Sequence, residues 1–185
     1  MSTSNSKNWY AVYTRSNAEK KVCEQLRRSR YTTYLPLVTT FRQWSDRKKK
    51  VQIPLIPSYV FVRIEEQNVH KVLAVNGALH ILKYLGKYAI VKEEEIKNLQ
   101  LLISGESKSQ FSLIENISRG DEVEVIKGLF IGLRGYFVKE KNKQKVFIKI
   151  NALNRYVGIE IPHHNIKRLE SKTKIYNKKD KILFN

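Results

Sequence analysis

Apolar and polar positions alternate along most of this chain with the two-residue period of β-strands. The first such run, residues 9–14, is rich in aromatic and β-branched side chains and predicts a strand. Runs of the same character predict further strands over 31–41, with an interruption at Pro36, and over 51–55, 59–64, 78–82 and 89–91. Helical apolar spacing is found over 16–30, 67–75 and 92–103. This order predicts an α+β domain with helices flanking a mostly antiparallel sheet.

The first helix has a start signal in its sequence. Ser16 and Glu19 have the spacing of a capping box, in which a serine and a glutamate three residues later each bond the backbone N–H of the other. An apolar residue then recurs every fourth position from 18 to 26. The pattern predicts a helix that begins after Ser16 and ends near Arg30.

Residues 53–62 form the segment around which the rest of the domain is organised. Pro54 and Pro57 supply no backbone N–H, so the first half predicts an extended crossing or turn. The second half predicts a strand in which Tyr59 and Phe61 share one face and two valines share the other. Two interpretations remain open: a strand buried on both faces, or a strand whose aromatic face serves for docking.

Beyond residue 117 every pattern is of the β type. About five short strands are predicted, and glycines at 128, 132 and 135 surround an apolar cluster, which permits tight turns in a small barrel. The predicted organisation is an α+β domain over 8–104, a linker over 105–117, an SH3-like all-β barrel over 118–170 and a basic tail over 171–185.

The chain is strongly basic, with 185 residues, a formal net charge of +18 and a sequence pI of about 9.9. This charge indicates attraction to nucleic acid, the ribosome or another anionic surface. Segment 42–50 holds five basic residues and one acidic residue between two strand patterns, so it predicts a basic hairpin tip or extended loop. A polar start and the lack of a long apolar window predict a cytoplasmic protein without a signal peptide or membrane association.

No constellation of catalytic or metal-binding residues is recognisable in the sequence. The single cysteine, Cys23, excludes an intramolecular disulfide, and none of the four histidines has a nucleophile or carboxylate partner in a known motif. A glycine-rich phosphate loop is also missing. We therefore predict a monomeric binding protein that is not an enzyme and that needs no cofactor and no metal.

Three motifs, in this order, resemble the NusG family of transcription elongation factors. They are the Trp-Tyr-Ala-Val-Tyr-Thr run at 9–14, the Pro-Leu-Ile-Pro-Ser-Tyr-Val-Phe-Val run at 54–62, and the glycine-bearing run at 120–135, which is similar to a KOW motif. Together they cover about residues 8–170. The resemblance implies an NGN-like first domain followed by a KOW-like barrel.

Residues 31–50 further resemble the UpxY type of specialised antiterminator, which is found with surface-polysaccharide operons and is related in role to RfaH. Housekeeping members usually have phenylalanine and glycine where Ile56 and Ser58 stand in this chain. The resemblance implies a factor that suppresses pausing or termination on a specific operon. RfaH-like members can refold the barrel as helices, whereas the β-branched residues and glycines here favour a stable barrel.

The resemblance also implies roles for particular residues. The first domain of the family docks on the clamp helices of the β′ subunit of bacterial RNA polymerase, near the gate loop of the β subunit and the upstream or non-template DNA. By position, the predicted polymerase-binding residues are Tyr13, Tyr59, Phe61, His70 and Lys71. By position and by charge, the predicted nucleic-acid-binding residues are Arg15, Lys20, Lys21, Arg42, Arg47, Lys48 and Lys49.

A second function remains open at this point, that of an RNA- or ribosome-binding module built on the barrel and the basic tail. In the family the barrel contacts a ribosomal protein or a termination factor. This interpretation accounts for the charge, but it gives no reason for the proline-bracketed crossing at 53–58.

Overall fold

The computed structural model describes residues 6–44, 47–104, 111–114, 120–140 and 143–169. The helices in these ranges are α1 (Glu19–Arg28), α2 (Val69–Leu73) and α3 (Glu93–Ser104). The strands are β1 (Asn8–Thr14), β2 (Thr32–Tyr34), β3 (Leu37–Gln43), β4 (Lys48–Pro54), β5 (Tyr59–Ile64), β6 (Ala78–Ile81), β7 (Lys83–Tyr84), β8 (Lys87–Tyr88), β9 (Ile90–Val91), β10 (Phe111–Ile114), β11 (Asp121–Val125), β12 (Arg134–Glu140), β13 (Lys143–Ile150), β14 (Arg155–Glu160) and β15 (Ile166–Arg168). None of the described helices combines the length and the apolar character that crossing a membrane would require.

A five-stranded antiparallel sheet forms the centre of the first unit. Its strand order is β2-β5-β1-β6, and β9 also pairs with β1. The ladder between β1 and β5 runs without a shift from Asn8 opposite Ile64 to Tyr13 opposite Tyr59. Because the ladder is regular, the side chains of both central strands are fixed to two defined faces. The predicted α+β class with a mostly antiparallel sheet is confirmed.

One face of this sheet is covered by α1 and α2. Val60 and Val62 of β5 are 0% exposed on this side. They belong to a cluster that includes Tyr10 and Val12 of β1, Val22, Cys23 and Leu26 of α1, and Val69 and Val72 of α2. Cys23 is therefore a buried core residue.

The opposite face of the sheet carries the larger aromatic side chains. Trp9 and Phe61 lie here in a cluster that also includes Leu99 of α3 and continues into the second unit through Leu153. Phe61 is 0% exposed, so β5 is buried on both faces in this conformation of the chain. The interpretation of residues 59–62 as a strand buried on both faces therefore describes this structure. The second unit contributes to the burial of the aromatic face.

The second unit is a six-stranded antiparallel barrel sheet with the order β10-β14-β13-β12-β11-β15. Val123, Val146 and Val157 are 0% exposed in its core. The ring of Phe147 lies so close to Gly158 that a Cβ at position 158 would overlap it, so only glycine fits there. The predicted small all-β barrel is confirmed.

Strands β3 and β4 form a separate two-stranded hairpin. The sequence predicted one strand over 31–41 that is interrupted at Pro36, but the interruption separates two strands, since β2 ends at Tyr34 and β3 begins at Leu37 in a different sheet. Pro36 has no N–H to continue a ladder, and its carbonyl instead accepts a hydrogen bond from the N–H of Leu55 at 2.8 Å. The proline thus separates the hairpin from the main sheet.

The predicted capping box was wrong. Helix α1 begins at Glu19, and the residue before it, Ala18, makes no side-chain cap. Asn17 has a φ of 61°, a left-handed conformation that turns the chain between Ser16 and the helix. At the other end the helix stops at Arg28, two residues before the predicted boundary.

The predicted linker over 105–117 also needs correction. It contains β10, which pairs antiparallel with β14 so that Phe111 lies opposite Ile159. A strand of four residues is too short to show periodicity in the sequence, and its pairing partner lies more than 40 residues later. The predicted basic tail over 171–185 lies outside the described residues.

Candidate docking face and nucleic-acid surfaces

Three rings meet on the aromatic face of the main sheet. Tyr13 lies opposite Tyr59 in the β1–β5 ladder and opposite His80 in the β1–β6 ladder. The Tyr13 ring meets the Tyr59 ring edge-on with centroids 5.2 Å apart and stacks on the His80 imidazole with centroids 4.9 Å apart. The structure therefore brings two predicted polymerase-binding residues into contact and adds a histidine.

Phe61 and Tyr34 form a second ring pair on the same face. Their rings are stacked with centroids 6.4 Å apart. Burial raises the pKa of the Tyr34 phenol, and its hydroxyl has no hydrogen-bond partner within the described part of the chain. Leaving such a hydroxyl buried and unpaired costs about 1–3 kcal/mol.

The barrel unit and α3 together cover the aromatic face. Helix α3 packs against β13, and β9 packs against the 3₁₀ segment Asn151–Leu153. Glu95 of α3 is 5% exposed, and its Oε1 accepts hydrogen bonds from the backbone N–H of Asn151 at 3.3 Å and from the side-chain Nδ2 at 2.6 Å. Its Oε2 has no partner among the described residues. These contacts join the two units.

Arg155 of the barrel borders the ring cluster. It lines an open cavity together with Tyr13, Tyr59 and His80 of the first unit. Burial raises the pKa of the Tyr59 phenol, and the positive charge of Arg155 opposes that rise because it favours the phenolate. The candidate docking face therefore ends at a cavity whose walls come from both units.

The proline-bracketed crossing is held in place by a buried glutamate. Ser58 has a φ of 64°, and its N–H donates to Oε1 of Glu19 at 2.7 Å. The carbonyl of Ser58 accepts a hydrogen bond from the N–H of Thr14 at 2.8 Å. Glu19 is only 5% exposed and binds Ser58. Its carboxylate therefore fixes the backbone of the crossing and does not cap the start of α1.

Substitutions at Ser58 should test this conformation. We expect Ser58→Gly to leave the free energy of unfolding unchanged or to raise it by up to about 1 kcal/mol, since glycine adopts left-handed φ without a steric cost. Ser58→Val should lower it by about 1–3 kcal/mol, because a β-branched residue is strained there. Urea unfolding of both variants is the measurement. Equal stability of the two variants would contradict the left-handed conformation.

His70 and Lys71 lie apart from the aromatic face. Both are exposed on α2, whose buried residues Val69 and Val72 pack on the opposite face of the sheet from Phe61. The structure therefore places the five predicted polymerase-binding residues on two separate surfaces. A contact between α2 and a polymerase loop remains a prediction.

The predicted nucleic-acid-binding residues fall into two groups. Arg15, Lys20 and Lys21 are exposed at and just before the start of α1, and the ammonium of Lys20 donates to the carbonyl of Gln52 at 2.7 Å, which ties α1 to the hairpin. The second group lies at the outer end of the hairpin, where all four side chains are exposed. This group is Arg42, Arg47, Lys48 and Lys49. Residues 45–46, between the two strands, lie outside the described residues.

Sequence reasoning missed three residues of the docking face. Tyr34 and His80 reach it through the β2–β5 and β1–β6 ladders, and Arg155 reaches it through packing between the units. For Tyr34 and His80 the only local signal was the strand-like character of the segments that contain them, which predicts neither the partner strand nor the register. Arg155 carried no signal at all.

The fold and the site define a class of protein in which an α+β unit meets a small β-barrel across an aromatic sheet face. The family model described as "NusG: Transcription termination factor nusG" matches residues 7–100, just over half of the chain. The chain therefore belongs to the NusG family and is a transcription termination/antitermination factor of the NusG type.

Similar proteins include several that are named transcription termination/antitermination protein NusG. That of Rickettsia typhi is 26% identical over 185 residues, which covers 90% of this chain and 93% of the relative. That of Streptococcus pyogenes serotype M3 is 26% identical over 172 residues, which covers 84% of this chain and 93% of the relative. A solved structure described as "Domain interaction in Thermotoga maritima NusG" has a TM-score of 0.49 and 23% identity, and covers 89% of this chain and 98% of that chain.

Proposed function

We propose that this chain is a specialised antitermination factor that binds bacterial RNA polymerase through the aromatic face around Tyr13, Tyr59 and Phe61. The observation that carries the proposal is that a second unit of the same chain packs over this face. Aromatic side chains on a sheet face that is covered by a separate unit form a surface that another partner can use. The partner is the clamp-helix region of the β′ subunit, as the family resemblance implies.

The contacts between the units support a cover that can be displaced. The interface contains the unpaired Oε2 of Glu95, and the unpaired hydroxyl of Tyr34 belongs to a ring stacked on Phe61 in the cluster that both units share, within the described residues. Buried polar groups without partners weaken an interface that otherwise gains free energy from apolar burial. A partner that satisfies these groups, or lets them reach water, therefore competes favourably with the barrel.

The other predicted surfaces stay accessible when the barrel is in place. His70 and Lys71 on α2 would face the gate loop of the β subunit, and the basic residues of α1 and the hairpin would face upstream or non-template DNA. These exposed basic residues allow the factor to associate weakly with DNA through charge before its aromatic face docks on polymerase. Within the proposal, the factor suppresses pausing or termination on a specific operon, such as one for surface polysaccharide synthesis.

The barrel has an apolar tip that favours a second partner. Leu129 and Ile131 are 67% and 61% exposed on neighbouring turns between β11 and β12. Exposed apolar side chains that lie close together are typical of a protein interface. The barrel would therefore bind a ribosomal protein or a termination factor, and this is also the observation behind the alternative function of a ribosome- or RNA-binding protein.

Binding of core polymerase by the fragment 1–104 tests the proposal. We expect this fragment to bind about tenfold or more tightly than the full chain, because the apparent affinity of a closed chain is reduced by the fraction that is open. Biolayer interferometry gives both affinities, and circular dichroism shows whether the fragment is folded.

Two outcomes would decide against polymerase docking. A folded fragment that fails to bind core polymerase would overturn the proposal. A full chain that is retained by ribosomes but not by core polymerase would favour the alternative.

A further inference from the structure

The outer half of the β3–β4 hairpin takes part in neither core. The ladder pairs Leu37–Gln43 with Lys48–Pro54, and the N–H of Trp44 donates to the carbonyl of Arg47 at 2.8 Å. Leu37 packs against the core at the base, whereas every described residue from 41 to 50 is exposed. The side chains of the outer half therefore need an explanation other than stability.

Each face of the outer half presents one exposed aromatic ring among basic side chains. On one face, Phe41 is 69% exposed and lies directly opposite Lys50, and Lys48 follows on the same side. On the other face, Trp44 is 51% exposed, and the ammonium of Lys49 lies 5.0 Å from the centroid of its ring. With Lys49 on one side of the ring, Trp44 still keeps about half of its surface exposed.

Two simpler explanations fail to account for this combination. A solubilising surface accounts for the cations, but large exposed rings reduce solubility. A docking site for an apolar protein surface accounts for the rings, but the segment 42–50 has five basic residues and one acidic residue, and the centres of protein interfaces are depleted in charge.

Single-stranded nucleic acid matches both features. Its phosphates attract lysine and arginine side chains, and its unpaired bases stack on aromatic rings. In a duplex the flat faces of the bases are covered by their neighbours, so a ring at the surface of the protein has nothing to stack on.

We propose that the outer hairpin binds single-stranded nucleic acid, with one base stacked on Trp44 and another on Phe41. The phosphates would be contacted by Arg42, Lys48, Lys49 and Lys50. This deepens the proposed function, on whose nucleic-acid surface it rests, because it names the form of the nucleic acid and two aromatic residues that bind it. Unpaired DNA and unpaired RNA share this chemistry, and the experiment separates them.

The test uses the full chain and three short fluorescent probes: a DNA strand, an RNA strand of the same sequence, and the DNA duplex. We expect Trp44→Ala to weaken single-strand binding about tenfold and to leave duplex binding unchanged, since stacking on one ring contributes this much. Phe41→Ala should act in the same direction, and Trp44→Phe should retain most of the affinity. Lys49→Gln should weaken all three complexes and reduce the log–log salt slope by about one unit.

Tryptophan fluorescence gives an independent signal. The chain has two tryptophans, and Trp9 is 6% exposed, so quenching by an added strand reports stacking on Trp44. Leu85→Ala is the matched control, because it removes another exposed apolar side chain, to which no binding role is assigned, without changing the charge. It should leave the affinity for every probe unchanged.

The proposal would be overturned if Trp44→Ala left single-strand affinity unchanged, or if it lowered single-strand and duplex affinity equally. Tighter binding of the DNA or the RNA probe identifies which strand the hairpin uses, and either result supports stacking. If single strands quench the tryptophan fluorescence of the wild-type chain but the chain does not bind core polymerase, the result contradicts the proposed function and leaves the stacking proposal intact.

Discussion

Replacing Phe61 with alanine is expected to lower the free energy of unfolding of the full chain by about 3–5 kcal/mol. The ring is 0% exposed and stacked on Tyr34, so its removal leaves a cavity in a cluster to which both units contribute. In the fragment 1–104 the barrel is missing and that side of the cluster meets solvent, so the loss should be clearly smaller. Thermal and urea unfolding of the two forms measure the difference.

The same substitution should reduce binding of core polymerase. We expect the affinity of folded fragment 1–104 to fall by roughly 30-fold, about 2 kcal/mol, as is typical of an aromatic anchor at the centre of an interface. Val62→Ala is the matched control, because Val62 is also 0% exposed but lies on the face covered by α1 and α2. It should destabilise both forms to the same extent and leave the affinity unchanged. If Phe61→Ala behaved like this control, the docking face would be assigned to the wrong side of the sheet.

Replacing Glu95 with alanine is expected to raise the affinity of the full chain for polymerase by about tenfold. Glu95 accepts two hydrogen bonds from Asn151, and hydrogen bonds to a charged group contribute about 1.5–3 kcal/mol. The substitution removes these bonds only from the closed arrangement, so the population of open chains increases. In fragment 1–104, which lacks Asn151, it should have little effect.

The neighbouring residue provides the control for this prediction. Glu94 lies in the same first turn of α3 and is exposed, so Glu94→Ala removes an equal charge without breaking the contact between the units. It should leave the affinity of the full chain unchanged. Equal effects of the two substitutions would indicate that the charge of α3, and not the contact with Asn151, controls binding.

The two-residue period of strands made the faces of β5 predictable from the sequence. Tyr59 and Phe61 share one face and Val60 and Val62 the other, as expected, because this property depends only on neighbouring residues. The cover over the aromatic face could not be predicted in the same way. Part of it comes from Asn151–Leu153 and Arg155, about 90 residues later in the chain, and no local pattern predicts such a contact.

The capping box shows how a tertiary contact can override a local signal. Glu19 has the correct spacing from Ser16, but its carboxylate binds the N–H of Ser58, which is 39 residues away. A left-handed residue at Asn17 then moves the start of the helix. In the hairpin, the basic character was predicted from charge, but the exposure of Phe41 and Trp44 was not. Phe41 ended a predicted strand, where an apolar residue is normally assigned to the core, and Trp44 lay in the predicted tip, where the sequence defines no face.

Photo-crosslinking from position 59 tests the central claim most directly. A benzophenone amino acid in place of Tyr59 puts the reactive group at the boundary between the two units, beside Arg155. Without polymerase, we predict crosslinks within the chain to the barrel. With saturating core polymerase, these should be lost and replaced by crosslinks to the clamp helices of the β′ subunit. Crosslinks that remain on the barrel in the polymerase complex would contradict the claim that polymerase takes the place of the barrel on the aromatic face.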